Sequence, residues 1–287
     1  MTRPRDVKVI DTLMGFRSTS NIPRIAGLRD RGRADNTIGY MFKDMPANRP
    51  GDVSDEQAID ETLAKMDTHG IELALVNLTS ETARTALRKH PARFAASLGV
   101  DPNDVMGAVR AIRQAVDEYG LRAVTLFPSG VSPRVPIDDR RAYPIYATCV
   151  ELGLPVFVAV GVPGPRVPMA AQRVELVDQV CYDFPELRFV MRHGAEPWVN
   201  LAVKLMLKWP NLYYSTTAFA PKHYPKAIID YANTRGADKI IYGGYYPFGI
   251  ELERTFTELD TVPFKADVWP KFLRHNAATV LDLTPAR

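Results

Sequence analysis

Eight short apolar runs separated by longer segments of helical period are the feature that most restricts how this chain can fold. The runs are Val7–Asp11, Leu73–Leu78, Phe94–Val100, Ala123–Leu126, Val156–Val160, Phe189–Met191, Leu212–Ser215 and Ile240–Tyr242. Short continuous apolar stretches of this kind read as strands buried on both faces. Between them lie Glu56–Thr68, Ala108–Glu118, Pro144–Glu151, Ala171–Tyr182, Val199–Trp209 and Tyr224–Thr234, patterned as helices. Strands alternating with helices predict a parallel sheet. Eight of them, with no Ser/Gly-rich linker, predict an α/β fold of the (β/α)8 TIM-barrel type, one domain spanning 1–287. A sheet of six strands with insertions is the competing architecture.

One interval departs from the alternation. Residues 17–50 have little periodicity and carry seven basic residues, Arg17, Arg24, Arg29, Arg31, Arg33, Lys43 and Arg49, against three Asp. Placed between the first strand and the first helix, the interval projects over the C-terminal mouth of a barrel. Long loops without structure of their own are functional or solvated insertions. The two readings are therefore a plain insertion and a lid screening an anionic, phosphate-bearing substrate.

Composition excludes several function classes. A net charge of +3 over 287 residues, with no block of like charges, gives no footprint for nucleic acid. The basic, polar start Met1–Lys8 lacks an apolar signal region, and no window approaches a membrane span. A cytoplasmic protein is expected. Its two cysteines, Cys149 and Cys181, sit in apolar helical patterns and form no metal-type pair, so they read as buried thiols. A homodimer is the default assembly.

The chemistry concentrates in Phe189-Val190-Met191-Arg192-His193-Gly194-Ala195-Glu196-Pro197-Trp198. An apolar strand delivers His193 to its C-terminal end, where a barrel does its chemistry. Glu196 follows three residues on, a spacing that puts both side chains on one face if a helical turn begins there. These two are the candidate catalytic pair. The bland alternatives are a hydrogen-bonded strand-end histidine and a carboxylate capping the next helix.

Three further segments extend the pattern: Pro163–Pro168, Met66-Asp67-Thr68-His69-Gly70-Ile71 and Pro270–Asn276. In order and spacing they resemble the amidohydrolase-2 family, whose members are TIM-barrel metal hydrolases and decarboxylases acting on small carboxylates. The resemblance implies a divalent metal held by an Asp-x-His-x-His strand, histidines after strands five and six, and an Asp after strand eight. Here the first motif falls on Asp11-Thr12-Leu13-Met14-Gly15, the strand-five position near Ala159, and the strand-eight position near Tyr245. Leu13, Gly15 and Ala159 cannot coordinate, so the usual zinc arrangement cannot form from them; only His193 survives.

The altered pattern resembles a smaller related branch, that of the non-haem diiron monooxygenases of platensimycin and platencin biosynthesis. The likeness rests on Asp11–Phe16, the His193/Glu196 pair and Tyr242-Gly243-Gly244-Tyr245-Tyr246-Pro247. It implies an oxidoreductase using Fe, two ions, with O2, on an apolar diterpenoid-type substrate held as a CoA thioester in antibiotic biosynthesis. The candidate metal set, read from polar residues at the predicted strand ends and not carried over from that branch, is His193, Glu196, His223 and Asp11; a histidine-plus-carboxylate set suits iron. Arg17, Arg166, Lys222 and Tyr245, on loops at the mouth, are the candidate substrate contacts.

Each has a structural counter-reading. His223 sits in an aromatic, proline-rich loop with Lys222 and Tyr224, Asp11 can bind neighbouring loops, and Asp101 opens a turn sequence. His69, His90 and His275 read as structural. Two other functions compete with the oxygenase: a hydrolase or decarboxylase of the parent family, metal-independent, acting on a small carboxylate, lactone or thioester; and a catalytically silent binding barrel.

Overall fold

The computed structural model describes residues 3–17, 40–41 and 53–283. Eight strands, β1 Val9–Met14, β2 Ile71–Asn77, β3 Phe94–Gly99, β4 Ala123–Leu126, β5 Val156–Ala159, β6 Phe189–Arg192, β7 Leu212–Ser215 and β8 Ile240–Ile241, form one sheet in sequential order. Every consecutive pair is parallel. Helices alternate with them: α1 Asp55–His69, α2 Glu81–Lys89, α3 Val105–Tyr119, α4 Tyr143–Glu151, α5 Leu176–Asp183, α6 Val199–Lys208, α7 Lys226–Ala232 and α8 Leu252–Leu259. The barrel expected from the alternation is the fold observed, and the six-stranded sheet is not.

Local chemistry sets the boundaries. Ser54 accepts from the Gln57 backbone N–H while the Gln57 side chain accepts from the Ser54 N–H, a capping box that starts α1. Gly70 ends α1 in the left-handed region at φ 69° and turns the chain straight into β2. The helix expected over Ala171–Tyr182 is split into a 3-10 turn, Ala170–Gln172, and α5. The first strand begins at Val9 rather than Val7 and runs on to Met14, so Asp11 lies inside it. Most of the expected lid over 17–50 lies outside the described residues.

Strand alternation sorts side chains into two sets. One face packs against the helices. The other fills the lower lumen with Ile10, Leu75, Phe157, Val190 and Ile241, against Ala277, Val280 and Leu281 of the C-terminal segment. That end is stoppered by hydrocarbon, which leaves the opposite, C-terminal end for chemistry.

Between β8 and β1 the barrel is closed by individual hydrogen bonds. The Gly244 N–H donates to Asp11 Oδ1 at 2.8 Å, Thr12 Oγ1 donates to the Tyr242 carbonyl at 2.9 Å, and the Gly15 N–H donates to the Tyr246 carbonyl at 2.9 Å. Asp11 Oδ1 also accepts from the Leu13 N–H at 3.0 Å. Among the described residues no helix is long and apolar enough to cross a membrane. Cys149 and Cys181 are buried free thiols, as expected, and burial pushes both up to about 12.

Candidate active site

The inward register of β6 runs through Val190, which packs in the lower lumen, to Arg192 two residues on. Arg192 therefore enters the upper lumen. Its Nε is buried without a hydrogen-bond partner, and among the described residues no carboxylate lies within ion-pair distance. Burial pulls its guanidinium down to about 10, opposed by the Tyr245 phenol. Taking a cation out of water without a counter-ion is costly, and here a half-buried guanidinium meets that cost at its Nε.

His193 follows at the strand end with φ 69°, and Gly194 and Ala195 continue in the left-handed region at 98° and 57°. Such a run is strained for His and Ala. Two contacts hold it: the His193 N–H donates to Thr217 Oγ1 at 3.2 Å, and Tyr214 Oη donates to the Gly194 carbonyl at 3.1 Å. Gly194 has no alternative, since a Cβ there would meet the Phe219 ring at 2.3 Å. The His193 ring lies edge-on to Tyr245, centroids 6.0 Å apart, with Nδ1 buried and unpartnered. Burial first, then the Arg192 charge, holds its basicity well below the usual 6.5, so the imidazole is neutral. Burial raises the Tyr245 phenol to about 12, and it keeps its proton.

The other expected site residues are dispersed. Glu196 is exposed, and α6 starts only at Val199, so no helical turn joins it to His193. The left-handed run from His193 to Ala195 stands in place of that turn, so the one-face geometry expected from the spacing is absent. His223 and Lys222 are exposed on the 3-10 turn Pro221–His223, with Lys222 Nζ 3.6 Å from Glu258. Tyr224 is the residue of that loop that turns inward and is buried. Asp11 is buried, but its Oδ1 is spent on the barrel seam. Asp101 is exposed and accepts from the Asn103 N–H, a turn. Arg17 pairs with Glu251 and lies 5.7 Å from the Tyr246 ring centroid. Arg166 stands 4.8 Å from the centroid of Tyr40, whose hydroxyl donates to the Gly164 carbonyl at 2.6 Å. Among the described residues, His193 and Tyr245 are expected site residues that come together, with Arg192 and Thr217 beside them.

These residues do not fit the family's divalent metal. Leu13, Gly15 and Ala159 stand at its ligand positions, and a Cβ on Gly15 would lie 2.5 Å from Phe248 Cζ. An aromatic ring fills the space a ligand side chain needs. Among the described residues no three His, Cys, Asp or Glu side chains converge as a metal cluster. The Arg192 charge also opposes a second cation nearby. The two-iron set expected from His193, Glu196, His223 and Asp11 is therefore not assembled.

Arg192 and Thr217 are the candidate site residues missing from the set that motif reading chose. Period-two counting from Val190 finds Arg192. Thr217 is found only through the backbone of His193.

The fold and site define a TIM-barrel protein of amidohydrolase type with an arginine-histidine centre. The amidohydrolase-2 profile, described as amidohydrolase, matches residues 27–283, and the chain belongs to that family. No protein of curated function matches it by sequence. Among solved structures it is similar to an uncharacterized TIM-barrel protein from Bordetella bronchiseptica, at 25% identity over 96% of this chain and 99% of that one, TM-score 0.72. It is also similar to 5-carboxyvanillate decarboxylase LigW from Sphingomonas paucimobilis, at 18% identity over 97% and 100%, TM-score 0.67. A third is dihydroxybenzoic acid decarboxylase from Polaromonas, solved with manganese and 2-nitroresorcinol, at 17% over 98% of each chain, TM-score 0.64. The diiron monooxygenase reading is overturned: the chain belongs to the amidohydrolase family, the two neighbours of stated activity are decarboxylases, and among the described residues the expected iron ligands form no metal cluster.

Proposed function

We propose that this chain is a metal-independent acid–base enzyme that hydrolyses a lactone, ester or thioester of a small carboxylate. The observation that carries the reading is Arg192, a half-buried cation whose Nε is buried and unpartnered and which has no carboxylate partner among the described residues. A guanidinium fixed in a dry site stabilises negative charge as it develops on a substrate oxygen. His193 is neutral, so it can take a proton from an attacking water and return it to the leaving oxygen or sulfur as the acyl bond breaks. Thr217 holds its backbone and Tyr245 walls its ring.

Decarboxylation is the second reading, favoured by the solved relatives. It fits Arg192 less well. A carboxylate gripped by guanidinium loses that attraction as its charge moves into the ring, which stabilises the ground state over the transition state. A decarboxylase would keep Arg192 for a second oxyanion.

The test is a panel of lactones, thioesters (acyl-CoA among them) and aromatic carboxylates, assayed for acid and for CO2 with chelator-dialysed protein. Acid release that disappears in Arg192→Gln supports hydrolysis, whereas CO2 release selects the second reading. A strict requirement for added manganese would overturn metal independence. Carboxylate binding without turnover of any compound returns the silent binding barrel.

A further inference from the structure

The upper lumen holds more hydrogen-bond donors than the protein uses. Thr12 and Ser97 spend their protons on the Tyr242 and Val76 carbonyls, and Ser215 pairs with Thr12 at 3.1 Å. Two other inward residues are different. Asn77 ends β2 and accepts the Thr79 N–H on Oδ1, leaving its Nδ2 hydrogens without a protein acceptor among the described residues. Thr125 of β4 is buried, and its hydroxyl donates to no described residue.

Gly99 of β3 lies between them. A Cβ there would be 3.3 Å from Asn77 Nδ2 and 3.4 Å from Thr125 Oγ1, so the two donors flank one bare stretch of backbone. The Gly99 φ lies outside the left-handed region, so its conformation does not demand glycine. What the missing side chain provides is open space. In the sequential eight-strand order β3 stands four strands from β7, across the lumen from Thr217 and Arg192. Thr217 accepts from His193 and keeps its own proton to give.

We propose that the upper lumen has a second acceptor-binding subsite, formed by Asn77 and Thr125 over Gly99, which reads the far end of a small two-ended substrate. The assignment rests on the proposed reading of Arg192 as the group that meets negative charge on the substrate. One end of the ligand is the anion held by Arg192 and Thr217. The other end carries a second carboxylate, or a keto or hydroxyl oxygen, that takes the hydrogens of Asn77 and Thr125. Donors that a bound ligand covers without accepting from them cost free energy, so an analogue with a methyl at that end binds less well. The substrate class is a short dicarboxylate or keto- or hydroxy-carboxylate, or its acyl derivative, and not a long apolar acid.

Calorimetric titration of the whole chain with succinate and glutarate, against butyrate and valerate, tests this without turnover. The dicarboxylates are expected to bind about tenfold more tightly than the monocarboxylates of equal length. Thr125→Val, which keeps the shape, should bring that ratio close to one. Gly99→Ala should do the same by filling the gap, whereas Arg192→Gln should weaken both series. Equal binding of the two series, binding of neither, or a ratio unmoved by Thr125→Val and Gly99→Ala overturns the subsite. A dicarboxylate preference in a protein that turns nothing over would leave the subsite standing and remove the proposed hydrolysis. Turnover insensitive to both variants would do the reverse.

Discussion

The ring of Phe248 stands where a side chain on Gly15 would go, with Cζ 2.5 Å from the Cβ that glycine lacks. The loop after β8 thus fills a pocket that the end of β1 leaves empty, and Phe248 in turn packs on Tyr245 at 5.6 Å. Loss of a ligand position and gain of an aromatic wall are one packing event.

Gly15→Ala is therefore expected to displace the Phe248 ring and to cost about 1 kcal/mol by overpacking. Phe248→Ala alone should cost more, through the cavity it leaves. The double variant should be more stable than the sum of the two losses predicts, because each removes the other's clash or void. Urea denaturation of the four proteins measures the coupling. Strict additivity would show that the ring and the glycine do not share this space.

Arg192 sets function against stability. A half-buried guanidinium with its Nε buried and unpartnered destabilises the ligand-free barrel, whereas a methionine of similar length can pack there. Arg192→Met is expected to raise ligand-free stability by about 1–3 kcal/mol, read as a higher denaturation midpoint. The same variant should lose stabilisation by carboxylates. A fall in ligand-free stability would mean that Arg192 serves the architecture and not a ligand.

His193 gives a pH signature. Its basicity is lowered on folding, so the unfolded chain binds the extra proton first. The stability it contributes is full above the unfolded value of 6.5 and is lost as pH falls from there through the lowered folded value. Because Arg192 is the second cause of the shift, Arg192→Gln should raise the folded value and narrow that window. Imidazole NMR resonances followed against pH check this: one ring, absent in His193→Gln, should stay neutral through 6.5. A His193 ring that titrates at the ordinary value would place it in water instead.

The barrel was legible in the sequence because hydrophobic period depends only on neighbours along the chain: Val190 and Phe157 alternate with Phe189 and Val158 whatever lies across the sheet. The site was less so. The His193/Glu196 spacing implied one face only if a helix began there, and three left-handed residues in succession, from His193 to Ala195, intervene. The sequence pointed to His223 and gave its neighbour Tyr224 no role, and the 3-10 turn leaves the first exposed and the second buried. The meeting of Asn77, Gly99 and Thr125 depends on inter-strand register, which no local pattern encodes.

Asp11 shows a site residue reassigned from ligand to fastening, and its protonation tests that role. Burial raises its carboxyl to about 7, against the lowering effect of the Gly244 and Leu13 N–H groups. Oδ2 remains buried and unpartnered, near Tyr242. With a folded value above the unfolded 3.8, the neutral form is favoured on folding. Its contribution is therefore complete below 3.8 and is lost as pH rises through about 7. Asp11→Asn keeps an Oδ1 acceptor for both N–H donors and carries no charge, so it should remove this loss and gain on the parent protein as pH rises from 4 to 8. Asp11→Ala leaves two buried N–H groups unmet and is expected to cost about 2–4 kcal/mol at either pH. If Asp11→Asn instead fell behind the parent with rising pH, the carboxylate would be engaged by a cation, and the metal reading of this position would return.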